Sequence, residues 1–117
     1  MLPTILVVDD EKSILQSLRG VLLDEDFEVI TAANGYEALK IIDDESPDLV
    51  LLDIWMPGID GIETLKEIKK ENPHIQVIMI TGHGTIETAV KATKFGAYDF
   101  IEKPLSIDAP SADADAR

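Results

Sequence analysis

The chain has 117 residues, enough for one compact core and too few for two ordinary domains. Hydrophobic residues make up 45% and charged residues 28%, the balance of a folded soluble protein and not of a disordered or fibrous one. No apolar run approaches the roughly 18 residues of a membrane span, the N-terminus lacks a secretion pattern so that a cytoplasmic protein is expected, the lack of cysteine excludes disulfides, and a net charge of −13 argues against unaided binding to DNA or RNA.

Thr4 to Val8 reads, from its β-branched content, as a strand buried on both faces, and it ends in Asp9-Asp10. Ile14, Leu15, Leu18, Val21 and Leu22 make the stripe of an amphipathic helix. Asp24, Glu25 and Asp26 are unfavourable at a helix C-terminus, so this helix is expected to end near Leu23. Phe27 to Ala32 is the next strand, Asn34-Gly35 reads as a turn, and Tyr36 to Asp43 reads as a second helix stopped before Ser46-Pro47. Leu49 to Leu52 is four consecutive large aliphatics, a doubly buried strand with Asp53 at its exit and Pro57-Gly58 beyond. Ile62, Leu65 and Ile68 are spaced for a third helix ending at Asn72-Pro73. Gln76 to Ile80 is the fourth strand, leading into Thr81-Gly82-His83-Gly84. Thr85 caps a fourth helix carrying Ile86, Ala89, Val90 and Thr93, which Phe95-Gly96 ends. Tyr98 to Glu102 is a fifth strand, followed by Lys103-Pro104.

Five strands with a helix between each pair define an α/β class: a doubly wound five-stranded parallel sheet with helices on both faces. In such sheets the site lies outside the carboxyl ends of the strands. Those ends deliver Asp9 and Asp10, Asp53, Thr81 and Lys103. With strand order 2-1-3-4-5 the first and third strands are neighbours, and three carboxylates converge beside a hydroxyl and an ammonium. Two carboxylates about 4 Å apart repel by roughly 4 kcal/mol at an effective dielectric of 20, which invites a divalent cation. Oxygen ligands without His or Cys favour magnesium, manganese or calcium over zinc.

Val7-Val8-Asp9-Asp10-Glu11, Leu52 to Gly61, Met79-Ile80-Thr81-Gly82 and Phe100-Ile101-Glu102-Lys103-Pro104 resemble the receiver domains of bacterial two-component response regulators. The four motifs agree in order and spacing over about residues 4 to 106. Gly82 to Thr85 and Gly96 to Phe100 are most similar to the receivers of nitrogen-regulatory-type activators, which work with an alternative sigma factor. The resemblance implies a phosphoacceptor switch, not an enzyme acting on an external substrate. Asp53 accepts a phosphoryl group from a histidine kinase, and Mg²⁺ is held by Asp10, Asp53, the backbone carbonyl of Trp55 and, through water, Asp9. Lys103, aimed by a cis Lys103-Pro104 bond, and Thr81 contact the phosphoryl oxygens. Thr81 and the aromatic Phe100 form the switch, whose output is a changed surface on the fourth helix and fifth strand. The implied partners are a histidine kinase and an output domain or transcriptional effector not contained in this chain.

Taken singly, each residue has a blander reading. An Asp after a strand is usually a cap or turn residue, Thr81 is structural, Lys103 a solvated charge, Phe100 packing, and His83 a loop residue. Three rival classes are weighed against the switch. A phosphotransferase or phosphatase needs a cap domain or substrate pocket that so short a chain lacks. A degenerate receiver, acting as a phosphorylation-independent interaction module, does not account for competent residue types at every site position. A nucleotide-binding flavodoxin-like module expects a phosphate cradle after the first strand, where this chain has acids.

The chain departs from the family at its end. Pro110 and the lack of large apolar residues beyond it predict a missing or aborted fifth helix, with residues 107–117 a disordered or non-native tail after a receiver domain of residues 1–106. Such a chain would expose apolar surface on the first helix and sheet, and a homodimer is one way to hide it.

Overall fold

A computed structural model describes residues 2–54, 58–81 and 86–102. The elements in chain order are β1 (Thr4–Val8), α1 (Lys12–Asp24), β2 (Glu28–Ala32), α2 (Gly35–Glu45), β3 (Leu49–Asp53), α3 (Gly61–Glu71), β4 (Gln76–Thr81), α4 (Ile86–Lys94) and β5 (Asp99–Glu102). The strands form one sheet in the order β2-β1-β3-β4-β5, every pairing parallel. This is the doubly wound arrangement expected from the alternation of strands and helices, with its switch point between β1 and β3.

Strand residues alternate between two cores, as a two-residue period requires. Leu6, Val8, Val50, Leu52, Val77 and Met79 face α2, α3 and α4, meeting Ala38, Ile42, Leu65, Ile68 and Ala92. Ile5, Val7, Leu51 and Ile80 face the other side, where Leu18 of α1 is buried and Ile14, Leu15 and Leu22 pack partly buried. The two faces therefore share a sheet in which Ile5 to Val8 of β1 and Leu49 to Leu52 of β3 are unbroken aliphatic runs, as strands covered on both sides require.

Two sequence expectations need correction. Asn34-Gly35 is not a turn but the start of α2: the Asn34 side chain accepts a hydrogen bond from the Glu37 N–H at 2.9 Å, and the Glu37 carboxylate accepts from the Ala33 N–H at 2.8 Å. That reciprocal cap extends the helix one residue ahead of Tyr36, and its other end runs to Glu45, where Ser46 turns left-handed (φ 47°). On α4, Val90 is 49% exposed, and among the described side chains of that helix Ala92 is buried. β5 is exposed along its length and begins at Asp99, one residue later than expected, although the Tyr98 N–H still reaches across to the Val77 carbonyl of β4 at 2.7 Å. The expected tail, the absence of a fifth helix and the Lys103-Pro104 bond lie outside the described residues, as does the Thr85 cap.

α3 is tied both to the turn that follows it and to the end of α4. The Lys69 ammonium donates to the carbonyls of Pro73 and Ile75 at 2.9 and 2.8 Å, and the Lys66 ammonium lies 4.4 Å from the centre of the Phe95 ring. Among the described residues no helix is long and apolar enough to cross a membrane.

Candidate functional site

The site is built at the carboxyl edge of the sheet. Pairing β1 with β3 sets Val8 opposite Leu52, and pairing β3 with β4 sets Asp53 opposite Ile80. One residue beyond Val8, Asp9 therefore falls level with Asp53. The pairing continues past the strands themselves: the Asp9 N–H donates to the Ala32 carbonyl at 3.1 Å and the Ile54 N–H to the Ile80 carbonyl, also at 3.1 Å. These backbone bonds hold both carboxylate-bearing residues in the frame of the sheet instead of in free loops.

Asp9 is fully buried and Asp53 is 3% exposed, while Asp10 lies at the surface. Each of the three offers a carboxylate oxygen, and these oxygens all lie within 4.8 Å of one another. Asp9 is oriented by its own chain, accepting a hydrogen bond from the Glu11 N–H at 2.9 Å. At such separations each carboxylate pair repels by about 3 to 4 kcal/mol at an effective dielectric of 20. A cluster of this kind, two acids buried and the third opening it to solvent, has the donor set of a hard, oxygen-liganded cation, and among the described residues no imidazole joins it. The residues present fit Mg²⁺.

Thr81 ends β4 with 2% exposure, one strand over from Asp53. β4 pairs with β5 so that Met79 opposes Phe100 and Thr81 opposes Glu102. Thr81 and Phe100 consequently lie on the same face of the sheet, two residues apart along neighbouring strands. Phe100 is 40% exposed, an open position for a large aromatic. Trp55, Lys103 and His83 lie outside the described residues.

The loop after Asp53 returns to the sheet through features that the apolar pattern does not reveal. Asp60 caps α3, its carboxylate accepting from the Glu63 N–H at 2.9 Å, and the buried Thr64 hydroxyl donates to the Asp60 carbonyl at 2.8 Å. The Gly61 N–H donates to the Ile54 carbonyl at 2.8 Å, which closes the loop directly behind the candidate nucleophile. Asp60 with Glu63, like Asn34 with Glu37, has the spacing of a helix-capping pair, and that signal would have located both helix starts.

A parallel α/β sheet in the order 2-1-3-4-5, with a carboxylate trio at the switch point and a buried hydroxyl beside it, is the flavodoxin-like arrangement with an acidic site at its strand ends. The chain belongs to the response regulator receiver domain family, whose pattern it matches over residues 5–111. It is 53% identical over 106 residues to an NtrX-like response regulator of Rickettsia typhi, covering 89% of this chain and 22% of that protein. It is 51% identical to the nitrogen assimilation regulatory protein NtrX of Azorhizobium caulinodans, covering 89% of this chain and 23% of that one. Among solved structures, the receiver domain of NtrX from Brucella abortus superposes with a TM-score of 0.83 at 54% identity, covering 86% of each chain. The chain spans under a quarter of the length of these curated relatives.

Proposed function

We propose that this receiver domain is a phosphoacceptor switch in which Asp53 takes a phosphoryl group from the phosphohistidine of a histidine kinase. The observation that carries the reading is the convergence of Asp9, Asp10 and Asp53 within 4.8 Å, with Asp53 all but buried at the end of a central strand. An Asp53 oxygen forms the new bond to phosphorus as the bond from phosphorus to the imidazole nitrogen breaks, and that nitrogen keeps the electron pair. Asp10 and Asp53, with the Trp55 carbonyl and, through water, Asp9, would hold Mg²⁺, which would supply positive charge to offset the charge of the transferring group. Thr81 donates its hydroxyl to one phosphoryl oxygen and Lys103 its ammonium to another.

Drawing Thr81 toward the phosphoryl group pulls on the end of β4, and Phe100, its same-face neighbour on β5, responds by leaving its open position. The surface of α4 and β5 changes with it, and an output domain or transcriptional effector reads the change. The domain catalyses only its own phosphorylation and dephosphorylation. With that role go a cytoplasmic location, no direct contact with nucleic acid, and a homodimer as a testable form of the active state. Incubation with acetyl phosphate and Mg²⁺, followed by mass spectrometry, tests the reading: one added phosphate on the intact protein supports it, and an unmodified protein contradicts it.

A further inference from the structure

We propose that Gly61 is a positioning residue for Asp53, setting where the carboxylate stands by packing bare backbone against bare backbone. The inference rests on the reading of Asp53 as phosphoacceptor and deepens it. Gly61 is the first residue of α3, eight positions after the nucleophile, and the chain folds back so far that it lies on the Asp53 peptide. A methyl group added at Gly61 would stand 2.2 Å from the Asp53 carbonyl oxygen, 2.6 Å from the Ile54 Cα and 2.9 Å from the Asp53 carbonyl carbon. All three are backbone atoms, so no rotamer change relieves the overlap. Gly61 is not among the glycines with positive φ, so what the site requires is the missing side chain and not an unusual conformation.

The Asp53 backbone is thus gripped from two sides, by pairing with Ile80 in β4 and by Gly61 from the start of α3. The Gly61 N–H bond to the Ile54 carbonyl locks that approach at 2.8 Å. Introducing a side chain at 61 forces the two segments apart by roughly 1 Å, a displacement that costs on the order of 100-fold in rate when reacting atoms must be held in line. The same movement carries one carboxylate away from the other two and weakens their shared hold on a cation.

Gly35, the first residue of α2, is the natural control. A methyl group there would stand 2.3 Å from the Thr64 hydroxyl oxygen and 2.6 Å from the Ile59 Cγ2, so its sharpest overlaps are with side chains and none is with Asp53. Gly61→Ala and Gly35→Ala are compared with the unaltered protein for rate of phosphorylation by acetyl phosphate, for Mg²⁺ affinity by Trp fluorescence, and for melting temperature without metal. The proposal expects Gly61→Ala to lose about 100-fold in rate and about tenfold in Mg²⁺ affinity while folded, and Gly35→Ala to melt earlier yet stay within threefold of the parent in both. It is overturned if Gly61→Ala matches the parent in rate and affinity, or if both variants lose rate in step with melting temperature. If Gly61→Ala is unfolded at room temperature, the comparison is made at 5 °C in trimethylamine oxide, and failure to fold there makes Gly61 a folding residue and overturns the proposal as well. If the unaltered protein accepts no phosphate, the reading of Asp53 fails, and the Mg²⁺ affinities still decide the positioning role.

Discussion

Asp9 and Asp53 stand level with one another on neighbouring parallel strands, both buried, with carboxylate oxygens within 4.8 Å. A folded protein keeps two like charges so close only at a cost in stability, and that cost falls when a cation binds or one charge is removed. Mg²⁺ is therefore expected to raise the melting temperature, with a gain of about 2.7 kcal/mol at a hundred times its dissociation constant. Calorimetry across a Mg²⁺ series measures it. Asp10→Ala removes most of the gain, and because Asp10 is exposed the fold tolerates the change. Glu11→Ala keeps the gain, since it is the backbone N–H of Glu11 that holds Asp9.

Phe100 lies on the same face of the sheet as Thr81 and is open to solvent. Phe100→Ala is expected to accept phosphate at the parent rate, because the aromatic sits on β5, two strands over from Asp53. The phosphorylation-dependent shifts in amide resonances over α4 and β5 should shrink sharply. Large shifts that survive the substitution would remove Phe100 from the switch.

The Thr64 hydroxyl is buried and bonded to the Asp60 carbonyl at the start of α3. Thr64→Val keeps the shape and loses that bond. Urea denaturation is expected to show a loss of about 1 kcal/mol with an unchanged slope. The Asp60 carbonyl also accepts from the Thr64 N–H, which keeps the effect at this level.

Lys69 closes the turn between α3 and β4 with two hydrogen bonds from its ammonium, and its stem lies under Gly96, which has φ +107°. Lys69→Met preserves the stem and leaves two carbonyls to water, at an expected cost of about 1 to 2 kcal/mol for this half-exposed group. A urea midpoint equal to that of the parent would show that both bonds are matched by solvent.

The strands and the candidate trio were legible in the sequence because the same physics writes both. A strand buried on two faces is an unbroken aliphatic run, so Ile5 to Val8 and Val50 to Leu52 announced themselves, and acids at their exits marked the edge where sites form. The start of α2 was misread because Asn-Gly is also a turn dipeptide, and only the Glu three residues after Asn34 separates the two readings. The closeness of Gly61 to Asp53 could not be seen, since it depends on how the intervening loop returns to the sheet.

The central claim is that Asp53 is the phosphoacceptor, and the direct measurement is intact-protein mass spectrometry of the parent and of Asp53→Asn after acetyl phosphate and Mg²⁺. Asn preserves the shape of the buried side chain while removing the nucleophile and one of three like charges, so the variant should fold and, without metal, melt no lower than the parent. The account predicts one added phosphate on the parent and none on the folded variant. Phosphate gained by Asp53→Asn at the parent's yield would contradict it.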